Sequence, residues 1–129
     1  MSDYKWIDVR ALKMLHEESL SIHGGGRGVR DEGLFESAIM RPQNLIQYNE
    51  KADIADLAAS YAYGLAKNHP FVDGNKRAAF LSIGLFLGIN GYRLTAKPVA
   101  AIQAILALAS GDMREDELAH WIRQNMKQS

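Results

Sequence analysis

Apolar residues recur along this chain at spacings of three and four rather than in alternation, so the pattern predicts helices almost throughout. Between Ile7 and Ile22, Val9, Leu12, Leu15 and Leu20 mark an amphipathic first helix, with Asp8 placed as an N-cap and Gly24 just past the end. A second, short helix opens on Asp31 and carries Leu34, Phe35, Ala38, Ile39 and Met40; Pro42, which has no N–H to donate, is expected to stop it. Residues 43–52 read as polar and irregular. Asp53 with Asp56 three positions on resembles a capping box for a third helix, whose stripe is Ile54, Leu57, Ala58, Tyr61 and Leu65 and whose end is Asn68.

The segment from Gly74 to Asn90 has almost no polar face, since Ala78, Phe80, Leu81, Ile83, Leu85, Phe86, Leu87 and Ile89 point in every direction. It is predicted to be a central helix surrounded by the others, with Gly84 and Gly88 admitting a close neighbour. Gly91 suits the left-handed residue past its end, and Tyr92 to Thr95 alternates briefly like an extended piece. Thr95 and Pro98 open an alanine- and leucine-rich helix to Ser110. Asp112 with Glu115 then starts a last one, in which Leu118, Ala119, Ile122 and Met126 face inward. There is no internal repeat. The expected fold class is all-α: a single domain over residues 1–129, about six helices around a central apolar helix, with at most a short extended segment.

Composition narrows the function classes. A length of 129 residues supports one self-sufficient core. The 15 basic and 15 acidic residues cancel, which removes the basic excess that grips nucleic acid phosphates, so no direct nucleic acid binding is expected. With no cysteine there are neither disulfides nor thiolate chemistry, in keeping with a reducing cytoplasm. The start, Met1 to Lys5, lacks the apolar core of a secretion leader, and the run from Ala78 to Ile89 is well short of the roughly 20 residues that span a bilayer. A soluble, cytoplasmic protein with no membrane partner is expected.

Chemistry is densest in nine residues between the third helix and the apolar one, His69-Pro70-Phe71-Val72-Asp73-Gly74-Asn75-Lys76-Arg77. A residue before proline is pushed out of the α region, so His69 is presented from a loop. An ordinary imidazole, titrating near about 6.5, is partly neutral at physiological pH and can take a proton from an attacking hydroxyl. Phe71 and Val72 are apolar anchors for the loop. Asp73 is a hard oxygen ligand suited to Mg²⁺, which takes one or two carboxylates plus phosphate oxygens, and it is equally placed to cap the next helix. Gly74 permits close backbone approach, and the N–H groups of Gly74, Asn75, Lys76 and Arg77 at a helix start form an anion site. Lys76 and Arg77 oppose the helix dipole there, which a purely structural turn would avoid. Together these parts suit phosphoryl or nucleotidyl transfer to a hydroxyl.

This stretch resembles the signature of the Fic/Doc family, His-x-Phe-x-Asp/Glu-Gly-Asn followed by a basic residue, and is closest to its Doc branch. Leu15-His16-Glu17 ahead of Gly24-Gly25, the helix from Asp31 to Arg41, and Phe86-Leu87 leading to Asn90-Gly91 are also similar to the death-on-curing toxins of toxin–antitoxin pairs. The resemblance covers residues 7–95 and extends to the whole chain. It implies that His69 is the base toward the target hydroxyl, that Asp73 binds Mg²⁺, and that Gly74, Asn75, Lys76 and Arg77 hold the phosphates of ATP. Nucleotidyl-transferring Fic enzymes have Gly after the Asn and a second Arg three residues after the first; this chain has Lys76 and Phe80 at those places. Both departures are those of Doc, a protein kinase acting on a threonine of elongation factor Tu. The resemblance therefore implies phosphate transfer to a translation factor, with AMP transfer and a non-catalytic antitoxin-binding module as the alternatives. The autoinhibitory string Ser/Thr-x-x-x-Glu-Gly/Asn is missing from the chain, so restraint is expected from a separate antitoxin whose disordered tail folds onto the toxin.

Other residues have plainer readings. Gly24-Gly25-Gly26-Arg27-Gly28 lacks the Gly-Lys-Ser/Thr ending of a P-loop and reads as a flexible connector or flap. Arg27 and Arg30 are candidates for a mobile basic lid over a nucleotide or target peptide. No pair among His16, His23 and His120 has the spacing of a helical metal site, so these read as structural. Trp6 and Trp121 are expected to pack the first and last helices together.

Overall fold

Asp8, Asp31 and Asp53 each stand in extended backbone at a helix start and accept an N–H of the first turn with the side chain, from Arg10, Leu34 and Asp56 respectively. They open α1 (Val9–His23), α2 (Glu32–Tyr48) and α3 (Ile54–Asn68) in the computed structural model, which describes residues 3–129. Met1 and Ser2, part of the N-terminal stretch inspected for a leader, lie outside the described residues. Next come α4 (Asn75–Ile89), β1 (Tyr92–Leu94), α5 (Pro98–Ser110), α6 (Glu115–Gln124) and β2 (Met126–Gln128). Six helices and one two-stranded ribbon agree with the expected all-α domain. Among the described residues no helix is long and apolar enough to cross a membrane.

The centre of the fold is α3, not the more apolar α4. Eleven of the fifteen residues of α3 are buried, against seven of fifteen in α4. On α4, Ala78, Ile83, Phe86 and Leu87 face the core, while Gly84 and Gly88 are exposed with no neighbouring atom within 4 Å of a would-be Cβ. The close approach expected at those glycines occurs at Gly64 instead, where a Cβ would come within 3.0 Å of the Ala38 Cα on α2. Tyr61 on α3 is fully buried and packs on Phe86 at 5.2 Å between ring centroids; its hydroxyl accepts the Ile7 N–H at 3.1 Å. Trp6 stacks on Phe86 at 5.9 Å, so it binds the N-terminal segment to α4 instead of joining α1 to α6.

Three sequence expectations about element ends are corrected. Pro42 does not stop α2: it sits inside the helix, buried with Phe35, Ala38 and Ile39, and the helix runs on to Tyr48 so that Leu45 and Ile46 pack against the core. An interior proline costs about 3 kcal/mol, and this tertiary burial offsets it. The last helix starts at Glu115 instead of being capped by Asp112, because Asp112 closes α5, accepting from the Ser110 hydroxyl while its N–H bonds the Ala107 carbonyl. Glu117 reaches back to the Arg114 N–H at 2.9 Å. Met126 leaves the helix for β2 and pairs antiparallel with Leu94, as Arg93 does with Lys127 and Tyr92 with Gln128.

Arg123 on α6 clasps the start of α3, donating to both Asp53 oxygens at 2.7 and 3.0 Å and to Asp56 at 3.1 Å. Burial pushes the Asp53 carboxyl up, but the Arg123 hydrogen bonds and the Asp56 N–H outweigh it and hold the group below its ordinary 3.8. Because the folded-state pKa is the lower one, the clasp stabilises fully above the unfolded value and fades as pH falls through the folded value. Arg123→Ala is expected to be less stable than the parent near neutral pH, with the gap narrowing below pH 3.8 in a series of urea melts. The glycine contrast is checked the same way. Gly64→Ala is expected to lose about 1–2 kcal/mol by overpacking against Ala38. Gly84→Ala is expected to gain about 0.5–1 kcal/mol from helix propensity.

Candidate functional site

The loop 69–74 has to turn the chain from α3 into α4, and it does so through left-handed residues at both ends. His69 (φ 50°, ψ 53°) is the only non-glycine residue with positive φ among the described residues, and Gly74 has φ 75°. Gly74 cannot be replaced for a second reason: a Cβ there would stand 2.9 Å from the His16 Cε1. Between them, Phe71 is buried and Val72 and Asp73 are exposed.

Asn75 ties this loop shut. Its Oδ1 accepts the Phe71 N–H at 2.8 Å and its Nδ2 donates to the Phe71 carbonyl at 3.1 Å, so one buried amide side chain satisfies both backbone groups of one residue. Asn75 was expected to contact nucleotide; its side chain is committed to the loop, leaving its backbone N–H for a ligand. Beneath the loop, the His16 ring stacks on Phe71 at 3.8 Å between centroids. His16 is 1% exposed and neither ring nitrogen has a hydrogen-bond partner. Burial pushes its pKa down, against the opposing pull of the Asp73 carbonyl and the Glu17 and Asp73 carboxylates. It forms the floor of the site. Its i±4 register with the buried Leu12 and Leu20 is the signal that could have placed it there.

The N-terminus of α4 is open. Gly74 caps it with no side-chain hydrogen bond, so the N–H groups of Asn75, Lys76 and Arg77 have no side-chain acceptor among the described residues. Lys76 is exposed and Arg77 half-buried. His69 and Lys76 line one cleft of about 650 Å³ with Gln103, Leu106, Ala107 and Ser110 of α5. The geometry thus brings the candidate base and one candidate cation together at one opening. A separate recess of about 620 Å³, near Tyr63, Lys67 and Glu115, contains none of the motif residues.

Asp73 does not line the cleft of His69 and Lys76. Its Oδ1 accepts the Gly74 N–H at 2.8 Å, while its Oδ2 faces the glycine segment, where a Cβ on Gly25 would lie 3.0 Å away. Gly26 is equally close to Val72. The segment 24–28 therefore lies against the motif. No group of three or more metal-ligating side chains forms among the described residues. A lone exposed carboxylate with Oδ2 unbonded fits a cation that draws its remaining ligands from phosphate and water, as Mg²⁺ does.

The two arginines of the expected lid are both engaged. Arg27 pairs with Glu17 at 2.9 Å. Arg30, itself exposed, lies along the end of α3, its Nε and Nη2 donating to the His69 carbonyl at 2.9 and 2.7 Å and Nη2 also to the Asn68 carbonyl at 3.1 Å. The backbone continues the suture: the N–H groups of Arg30 and Asp31 donate to the Pro70 carbonyl, Val72 donates to the Gly28 carbonyl, and Val29 bridges Phe71. Asn75→Ala would strand the buried Phe71 N–H and C=O. It is expected to cost about 1–3 kcal/mol in chemical denaturation, with faster hydrogen exchange in residues 71–74. Asn75→Asp keeps the acceptor and loses the donor, and should fall between the two.

Comparison with known proteins places this chain in a family. The model of the Fic/DOC family matches residues 6–87. "Protein kinase doc" of Escherichia phage P1 is 34% identical over 118 residues, 92% of this chain and 93% of that protein. "Toxin Doc" of Mycolicibacterium smegmatis is 45% identical over 75 residues, 57% of each chain. The loop that bends through His69 and Gly74 into an uncapped helix start lies wholly inside both the family match and the motif, and the chain belongs to the Fic/DOC family.

Proposed function

We propose that this chain is a Doc-type toxin, a protein kinase that transfers the γ-phosphoryl group of ATP to a serine or threonine hydroxyl. Elongation factor Tu, or a similar translation factor, is the target, and growth stops because translation does. The protein works in the cytoplasm, and a separate antitoxin protein restrains it. One observation carries the reading: likeness to a protein named as a kinase extends over 92% of the chain, and within it His69 shares an opening with Lys76 at an uncapped helix start.

In this mechanism the target hydroxyl gives its proton to an imidazole nitrogen of His69 as its oxygen forms a bond to the γ-phosphorus. The bond from that phosphorus to the β–γ bridging oxygen breaks, and ADP leaves with the electron pair. Lys76, Arg77 and the N–H groups of the first α4 turn hold phosphate oxygens, where helix dipole and side-chain charge act in the same sense. Asp73 would hold Mg²⁺, which when bound supplies neutralising charge to the phosphates. His16 and Asn75 keep the loop in shape without touching the reactants.

Transfer of AMP, the Fic-type alternative, is disfavoured by Phe80. That side chain is half-buried against the core, at the position where a second arginine would reach the distal phosphates. The two chemistries separate when the protein is incubated with elongation factor Tu, Mg²⁺ and ATP labelled at the α or the γ phosphate. Label is expected on the target from the γ position alone, and label from the α position alone would establish AMP transfer instead. His69→Ala is expected to lower the rate by about 10²–10⁴-fold and to relieve growth arrest on expression. Arrest that survives the substitution would remove the catalytic account.

A further inference from the structure

We propose that Arg30 is a positioning residue for His69, a role that rests on His69 acting as the base described above. The base occupies the one left-handed non-glycine conformation among the described residues, directly ahead of Pro70. Such a conformation costs free energy and persists only where its surroundings over-determine it. At His69 itself one residue takes up the carbonyl. The Arg30 guanidinium places two donors on the His69 carbonyl and shares one with Asn68, while the Arg30 N–H bonds the Pro70 carbonyl at 2.7 Å. Carbonyls of three successive residues, 68 to 70, are thus held from a single position on the facing strap.

These bonds act on direction as well as on stability. With φ and ψ of His69 fixed, the Cα–Cβ bond points one way, and the imidazole enters the cleft beside Lys76. The carbonyls of Asn68 and His69 also end α3, where a cation complements the negative end of the helix. A lysine could reach one of these oxygens but has no planar fork to engage the His69 carbonyl twice. Arg30 does not reach into the cleft itself: its donors are spent on backbone, and the side chains lining the opening do not include it. Its loss should therefore leave nucleotide binding in place and misdirect the base.

Full-length Arg30→Ala, Arg30→Lys and His69→Ala are compared with the parent in two measurements. The first is γ-phosphoryl transfer from Mg-ATP to elongation factor Tu. For Arg30→Ala, kcat is expected to fall about 10–100-fold while KM for Mg-ATP stays within about two-fold. Arg30→Lys should recover part of the loss. The second needs no activity: the imidazole Cε1–H resonance of His69, assigned by its disappearance in His69→Ala, is expected to move or double in Arg30→Ala while those of His23 and His120 stay put. If the Ala variant is unfolded at the assay temperature by thermal melt, Arg30→Lys and Arg30→Gln carry both measurements. An unmoved His69 resonance together with unchanged kcat would overturn the inference. A parent protein that transfers no γ-phosphate would count against the proposed function instead, and the resonance alone would then decide the role of Arg30.

Discussion

The site depends on α3 being buried on all but one stripe, the line of Asp56, Tyr63 and Lys67. A loosely packed helix can slide or tilt when its end is altered; α3 is held by Ala38 against Gly64, by Phe86 against Tyr61 and by Arg123 at its start. Interiors packed at crystal-like density have discrete arrangements instead of continuous ones. The last turn of α3 therefore arrives at a fixed place with a fixed heading, and His69 inherits both. The floor is fixed by the same core, since His16 and Phe71 stack beneath the loop and Phe35 meets Phe71 edge-on at 5.3 Å.

On that rigid base the fold supports a short loop whose conformation its own residues do not favour. Two left-handed positions five residues apart, one followed by proline, would not hold in a free peptide. Three sets of contacts hold them: Asn75 on the Phe71 backbone, the strap 28–31 on residues 68–72, and the aromatic stack below. Each is made to backbone or to a ring face, so the Asp73 Oδ2 and the Lys76 ammonium stay free for ligands.

How much of this was legible in sequence depended on how local each cause was. The Asp8, Asp31 and Asp53 caps and the Gly91 turn involve neighbours within a few residues, and they were readable. Pro42 was misread because its cost is local and its compensation is tertiary. Met126 was misread because a three-residue strand has meaning only beside β1, more than thirty positions earlier. The apolar count of α4 made it look central, yet burial follows packing partners, and α3 has more of them. Within the site, the motif announced its ionisable residues and concealed its supports. His16 read as structural without its place under the loop being visible, and Arg30 read as part of a mobile basic lid, because its partners are carbonyls 38 and 39 residues away that no side-chain pattern records.

Gly74 carries a consequence for inheritance. Any single base change that alters a glycine codon yields either a stop or a residue with a Cβ, and at this position such an atom collides with the buried His16 ring while φ stays at 75°. The position has no gentle first step. A lineage that needs to silence this protein has an easy route through that codon, whereas one that needs to retune it must first move His16 on another helix.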